Sequence, residues 1–405
     1  MTILPEFAPA TSSELARFVA ENAQTAKRRL RPVGGRTALY QGGTAAPSGC
    51  DISLVGLNRL IDYPARDMTV TVEAGMSVQQ LQHLLAQEHQ RLPIDIAQGS
   101  RATIGGAVAT NTSGPRRAGH GTFRDYLIGV SAIDASGRPF KAGGRVVKNV
   151  AGYDLCKLLI GSRGSLSILT QMTFKLRPLP EASGFLWATF DTFAEIENVL
   201  ERLLASDARP VAMDVLNPSA ASLVTATAQV DLPMTRPVLC LGVEGSAREV
   251  DWQIDKLARE ITPYGLQDFL RIPELEANRL WDTLTDFPTT ADDPLAFQAN
   301  LLPSACMEFA EFGTQEGLAM QIHAVNGIAI GQFPEEISSL EQVQALLRQL
   351  TEKARAAGGN LTILHCDAQW RSQIPLYGHS EPSMALMRQL KQTMDPENVL
   401  NPIEF

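Results

Sequence analysis

Apolar residues first recur at helical spacing at Leu15, Phe18, Val19, Ala23 and Ala26, directly after Thr11-Ser12-Ser13-Glu14. Threonine or serine followed three residues on by glutamate is a capping box, so an opening helix is predicted here. Thr69-Val70-Thr71-Val72-Glu73-Ala74 alternates and predicts a strand. Ser77 with Gln80 then caps a second helix carrying Val78, Leu81, Leu84 and Leu85. Strand, helix and glycine-rich loop alternate in this way to about Arg177, where Pro178-Leu179-Pro180 makes a rigid break.

Beyond the break the glycine loops vanish. The pattern predicts strands at 184–190, 211–216 and 238–243 and helices at 193–204 and 250–260. Leu318, Met320 and Ile322 alternate into Asn326-Gly327, with Ile328 and Ile330 beyond, the signal of a two-residue hairpin. A last helix is expected over Glu381–Met394, with Pro382 in its first turn. The fold class expected is α+β. A domain over 1–178 has two α+β parts, a cap over 179–380 is an antiparallel sheet with helices on one side, and 381–405 returns to the first domain.

Composition narrows the function classes. At 405 residues the chain exceeds one ordinary core. Its 35 basic and 44 acidic residues give −9, which disfavours nucleic acid as a partner. No apolar run approaches the ~20 residues of a membrane span, and Met1–Phe7 lacks the basic and apolar regions of a secretory signal. Five scattered cysteines (Cys50, Cys156, Cys240, Cys306, Cys366) form no disulfide framework and no metal-site spacing. A reducing cytoplasm is the expected location, with attachment at the inner face of the membrane through partner subunits.

The chemistry lies in the order of the glycine turns. Arg31-Pro32-Val33-Gly34-Gly35-Arg36-Thr37-Ala38-Leu39 comes first, then Gln98-Gly99-Ser100-Arg101-Ala102-Thr103-Ile104-Gly105-Gly106, then Asn111-Thr112-Ser113-Gly114 and Gly119-His120-Gly121. Gly161-Ser162-Arg163-Gly164 closes the series. Glycine allows positive φ and puts no Cβ in the way, and successive free N–H groups make anion nests. A P-loop lysine is missing, and so is a dinucleotide Gly-x-Gly-x-x-Gly after a strand. Taken singly, each turn is no more than a tight turn.

Taken in order, the turns resemble the flavin-binding domain of the vanillyl-alcohol-oxidase family. Residues 144–158, Gly-Arg-Val-Val-Lys-Asn-Val-Ala-Gly-Tyr-Asp-Leu-Cys-Lys-Leu, and the tail 394–402 further resemble the FAD-binding E subunits of bacterial glycolate oxidase. The resemblance implies non-covalent FAD. Its pyrophosphate would lie on Pro32, Gly34, Gly35, Arg36, Thr37 and Ala38, with Ser100, Thr103, Gly105 and Gly106 on the other side. Ser113 and Gly114 would approach the flavin, Gly161, Gly164 and Ile168 the adenine end, and Asn401 would close the site. Arg36 stands where some relatives carry a flavin-linking histidine, and His120 is the one nearby candidate for such a link.

The resemblance also implies a cap chemistry and shows its erosion. The related D subunits and D-2-hydroxyacid dehydrogenases carry His-x-Gly-Asp-Gly-Asn-x-His and Glu-His-Gly. Here these land on His323–Ile330 and on Leu364-His365-Cys366. With Asn326-Gly327 as the turn, His323 faces Ile330, so Ile330 and Leu364 replace two of three metal ligands and no metal is expected. His365 matches the catalytic base, although a merely packed histidine weighs equally. Gln298 stands near a substrate-gripping arginine of relatives, leaving Arg371, Arg124 and Lys148 as alternative carboxylate grips. Two hypotheses follow. The chain oxidises glycolate or another small 2-hydroxy acid itself, or it is an accessory flavoprotein beside a paralogous D subunit and an iron–sulfur subunit. A different flavin alcohol dehydrogenase of the same fold is a third.

Overall fold

The computed structural model describes residues 5–38, 49–144, 153–289, 294–337, 339–367, 370, 373–374 and 381–402. Leu39, the run 145–152, Lys148 and Arg371 lie outside the described residues. The chain divides into two compact units. One holds Met1–Thr112, Thr122–Leu179 and His379–Phe405, and the other holds Ser113–Gly121 and Pro180–Gly378.

Among the described residues the first unit contains three sheets, the smallest an antiparallel pair of Gln90–Arg91 with Arg177–Pro178. Strands Glu6–Phe7, Cys50–Ser53 and Leu30–Val33 pair in parallel, with Cys50–Ser53 in the centre. Strands Leu60–Asp62, Thr69–Glu73, Ile168–Lys175, Leu127–Ile133 and Pro139–Gly143 follow one another antiparallel. The opening helix runs Ser12–Gln24, and Thr11 accepts from the Glu14 N–H at 3.1 Å. Glu14 reaches back to the Ala10 N–H, one residue earlier than a capping box requires. Helix Val78–Ala86 is capped by Ser77 as its Ser-x-x-Gln pattern predicts. Leu15, Val19, Ile52, Val72, Leu81, Ile104 and Ile168 meet in one apolar core.

The final helix, Glu381–Met394, and its tail belong to this same unit. The buried Lys391 ammonium donates to Asp395 at 2.5 Å, to Ser165 O at 2.9 Å and to Asn401 O at 3.2 Å. Burial lowers its pKa, against the opposing pull of Asp395. The tail is therefore fixed to the first unit by polar contacts that its own sequence supplies.

The second unit is built on one eight-stranded sheet, antiparallel throughout. Its order is Leu266–Ile272, Ala182–Phe190, Val238–Gly245, Ala212–Leu216, Ala319–His323, Ile328–Gln332, Leu295–Asn300 and Asn360–Cys366. Alternate residues of each strand point to opposite faces. One face carries the larger apolar core and lies under helices Phe193–Leu204, Ala247–Ile261, Cys306–Gln315 and Leu340–Ala356. Helices Pro218–Ala228 and Glu274–Asp286 cover part of the opposite face, packing Trp187, Trp281 and Leu216 together. The remainder of that second face carries the polar side chains described below.

Candidate functional site

Gly34 and Gly35 follow directly on strand Leu30–Val33, and space around them is the issue. A Cβ on Gly34 would lie 2.0 Å from Thr103 Oγ1, and one on Gly35 would lie 1.7 Å from the Arg101 carbonyl oxygen. The first and second glycine turns are thus in contact. Neither Gly34 nor Gly35 has positive φ; the left-handed residue is Arg36, at φ 58°. Glycine is needed here for close approach and not for backbone freedom, which corrects half of the sequence argument. Among the described residues, the N–H groups of Gly34, Gly35, Arg36, Thr37 and Ala38 donate to no backbone carbonyl. Successive N–H groups without backbone acceptors around a left-handed residue are the setting in which anion nests occur.

An ion network underlies this loop. Asp51 accepts a two-pronged pair from the buried Arg31, at 2.8 and 3.0 Å, and a third bond from Arg36 Nη1 at 2.7 Å. Arg36 also binds Glu6. Burial alone would raise the Asp51 pKa, but the bonds from Arg31 and Arg36 outweigh it and hold the carboxyl below its usual range. Arg31 Nη1 is buried with no partner among the described residues. Sequence reading missed Asp51 and Glu6. The available signal was an acid inside the apolar strand Cys50-Asp51-Ile52.

The second turn is less open than expected. Thr103 caps helix Ile104–Thr110 by accepting from the Gly106 N–H at 3.3 Å. The Ile104 and Gly105 N–H groups donate to Met76 O and Ala74 O, so both amides are already used. Gly105 serves helix-on-strand packing, since a Cβ there would lie 2.7 Å from that of Ala74. Ser100 is exposed on the preceding turn. Gly161 and Gly164 have φ of 78° and 71°, and a Cβ on Gly164 would come 3.2 Å from Pro32. Asn401 donates to the Arg163 carbonyl at 2.8 Å, tying the tail to this turn. Beside it, Asn111 Oδ1 and Ser162 Oγ are buried polar atoms with no partner among the described residues. Ile168 is fully buried in the core, so only its backbone can meet a ligand.

Ser113, Gly114 and His120 group with the second unit. Ser113 Oγ accepts from Arg117 at 3.1 Å. His120 Nε2 lies 2.8 Å from Glu244 Oε2, and Arg116 stacks over Trp281 at 5.3 Å. His120 is thus engaged structurally. Arg124 belongs to the first unit and donates to Lys157 O at 3.0 Å.

On the polar face of the large sheet, the hairpin differs from its prediction. Residues 324–326 form a 3₁₀ turn closed by Gly327 at φ 65°, and His323 pairs with Ile328. Ile330 instead stands opposite Gln321, because the loop has four residues and not two. His323 Nδ1 is 2.9 Å from Asp214 Oδ1 on the adjacent strand. Gln321 Nε2 donates to the other Asp214 oxygen at 2.8 Å and to Leu284 O at 3.1 Å. Asp214 was not anticipated, although an aspartate within Val-Ala-Met-Asp-Val-Leu was its visible trace. Ile328 and Ile330 join the apolar cluster of Trp281 and Phe287, with Leu364 packed against it.

His365 is half-buried on the edge strand Asn360–Cys366. Leu361, Ile363 and Cys366 enter the helix-covered core, while Leu364 packs on the opposite face. The ladder slips by one residue opposite Ala296 and Phe297, and this bulge turns His365 to the side of Leu364. Burial lowers the His365 pKa, against a smaller pull from Asp367. His323 and His365 share a face but sit three strands and four residues apart, on the order of 20 Å. Gln298 donates to Asn300, which donates to Asn360 at 2.7 Å. Among the described residues no group of three or more His, Cys, Asp or Glu is placed to hold a metal. All five cysteines are buried, and burial raises Cys156 to about 11 and Cys306 to about 12, so these thiols are unreactive.

The family of FAD binding domains matches residues 6–143, and the C-terminal domain of FAD linked oxidases matches 179–297 and 328–404. The chain belongs to the FAD-linked oxidases. It is an FAD-dependent oxidoreductase. The glycolate oxidase subunit GlcD of Bacillus subtilis (strain 168) is 25% identical, over 98% of this chain and 87% of its own. The mitochondrial D-lactate dehydrogenase [cytochrome] of Arabidopsis thaliana is 25% identical over 97% of this chain and 72% of its own. Glycolate oxidase subunit GlcE of Escherichia coli (strain K12) is 38% identical, but over only 31% of this chain and 36% of its own. Full-length likeness thus reaches a D subunit, and the E-type likeness is local. Alkyldihydroxyacetonephosphate synthase has the same fold, with a TM-score of 0.70 at 18% identity over 99% of this chain and 77% of its own. Among the described residues no helix is long and apolar enough to cross a membrane.

Proposed function

We propose that this chain is the FAD-containing E-type subunit of a 2-hydroxy acid oxidase that converts glycolate to glyoxylate. It works beside a paralogous flavin D subunit and an iron–sulfur subunit. The supporting comparisons are the glycolate oxidase subunits, one along the full length and one locally at higher identity. The observation that carries the subunit reading is the apolar cluster of Ile330, Leu364 and Trp281. It occupies the strand positions at which the motif of the related dehydrogenases would require metal ligands.

FAD fits the residues present. The five N–H groups of Gly34–Ala38 suit a pyrophosphate, with Thr103 packed against Gly34; Pro32, Gly105 and Gly106 are assigned to the same cradle. Ser100 lies on the exposed rim. The turn at Gly161 and Gly164, the Ile168 backbone and Asn401 would receive the adenine end, where Asn111 Oδ1 and Ser162 Oγ lack partners among the described residues. Ser113 and Gly114 are assigned to the flavin ring. The cofactor is held without a covalent bond, since Arg36 takes the loop position and Glu244 holds His120. Bound FAD supplies a two-electron acceptor.

Were this chain itself to oxidise substrate, His365 is the residue assigned to proton acceptance, its imidazole pKa lowered by burial. With the metal motif lost, this chain's main task is electron relay and assembly, and the D subunit carries most substrate oxidation. The test is co-purification from the native host. A tagged chain should bring down a second flavoprotein of the same fold and an iron–sulfur protein. The complex should oxidise glycolate, and the chain alone should not. Full glycolate turnover by the chain alone would overturn the accessory role.

A further inference from the structure

The central strand of the small parallel sheet places three charged residues in one row. Glu6 pairs in register with Asp51, and Asp51 pairs in register with Arg31 on the far side. Two carboxylates on neighbouring strands repel each other. Arg31 answers one of them with a buried fork. The other cation comes from the loop: Arg36, left-handed at φ 58°, spans Asp51 and Glu6 with its two terminal nitrogens. The only left-handed residue among the open amides of Gly34–Ala38 is thereby tied to a buried carboxylate that Arg31 also holds.

We propose that Asp51, assisted by Glu6, is a positioning residue for the FAD pyrophosphate, acting through Arg36 to hold the five loop amides in their phosphate-accepting arrangement. The proposal rests on the reading of Gly34–Ala38 as the pyrophosphate loop. It assigns the Arg36 side chain to its own protein's carboxylates rather than to a phosphate. Simple charge counting gives the opposite expectation, because two carboxylates next to a pyrophosphate should weaken its binding. Removing one should then help. If they position the loop, removing one should hurt.

The sign of the effect is the test. FAD release from the holoprotein is followed by the rise of flavin fluorescence on dilution, with the thermal midpoint of the flavin-free protein measured alongside. Glu6→Gln touches a half-exposed side chain and leaves the Arg31–Asp51 fork whole. It should release FAD ~3–10-fold faster with an unchanged midpoint, and Asp51→Asn should do so by ~10²-fold. ADP, which carries a pyrophosphate without a flavin, should lose affinity by similar factors. Unchanged or slower release from Glu6→Gln overturns the proposal, and that variant decides alone if Asp51→Asn fails to fold. Gly35→Val separates the two levels. If it keeps full flavin, the loop reading itself is wrong. If it loses flavin while Glu6→Gln behaves as wild type, only the positioning role of Asp51 fails.

Discussion

A side-chain carbon on Gly35 would lie 1.7 Å from the carbonyl oxygen of Arg101. Two loops some sixty-five positions apart in sequence therefore touch backbone to backbone, and that contact sets the shape of the proposed pyrophosphate seat. Gly35→Val cannot be absorbed by a side-chain rotation, since the obstacle is main chain. Two lost charge-assisted bonds at about 1.5–3 kcal/mol each imply FAD affinity lower by ~10²-fold or more. Flavin-to-protein ratio after purification checks this.

FAD should leave completely when the protein is unfolded in acid and passed through a filter. Arg36 is committed to Asp51 and Glu6, and His120 to Glu244, so neither of these side chains is offered to the flavin. Yellow colour staying with the polypeptide would refute non-covalent binding.

Purified protein should contain no stoichiometric zinc, manganese or iron. Ile330 stands opposite Gln321 in an apolar cluster, and His323 spends Nδ1 on Asp214. One lone imidazole is a poor divalent site. Elemental analysis yielding one equivalent that survives chelation, and that disappears in His323→Ala, would contradict this.

His365 separates the accessory role from independent catalysis. The isolated chain, mixed anaerobically with glycolate or lactate, should keep its oxidised flavin spectrum for many turnovers of the complex. His365→Ala should then change little in the assembled complex. Rapid bleaching that His365→Ala slows by ~10²–10⁴-fold would establish it as a base in a competent dehydrogenase. Its pH profile would identify the group. The folded pKa lies below the usual 6.5, so the neutral base persists above that value and the rate would fall only as pH drops beneath it.

The sequence by itself determined the local elements and the cofactor. Thr11 and Ser77 announce helix starts because capping is a contact between residues three apart. Helix 193–204 was legible from its apolar spacing, and the ordered glycine turns pointed to FAD. What it could not supply was anything fixed by partners distant in the chain. Asp51 matters because parallel pairing sets it between Glu6 and Arg31. Asp214 matters because its strand lies beside that of His323. The Asn-Gly signal located the hairpin, but a four-residue turn moved Ile330 away from His323. A one-residue slip in strand pairing turned His365 to the side of Leu364. Register and bulges depend on the summed packing of two faces of a sheet, and only the tertiary structure decides them.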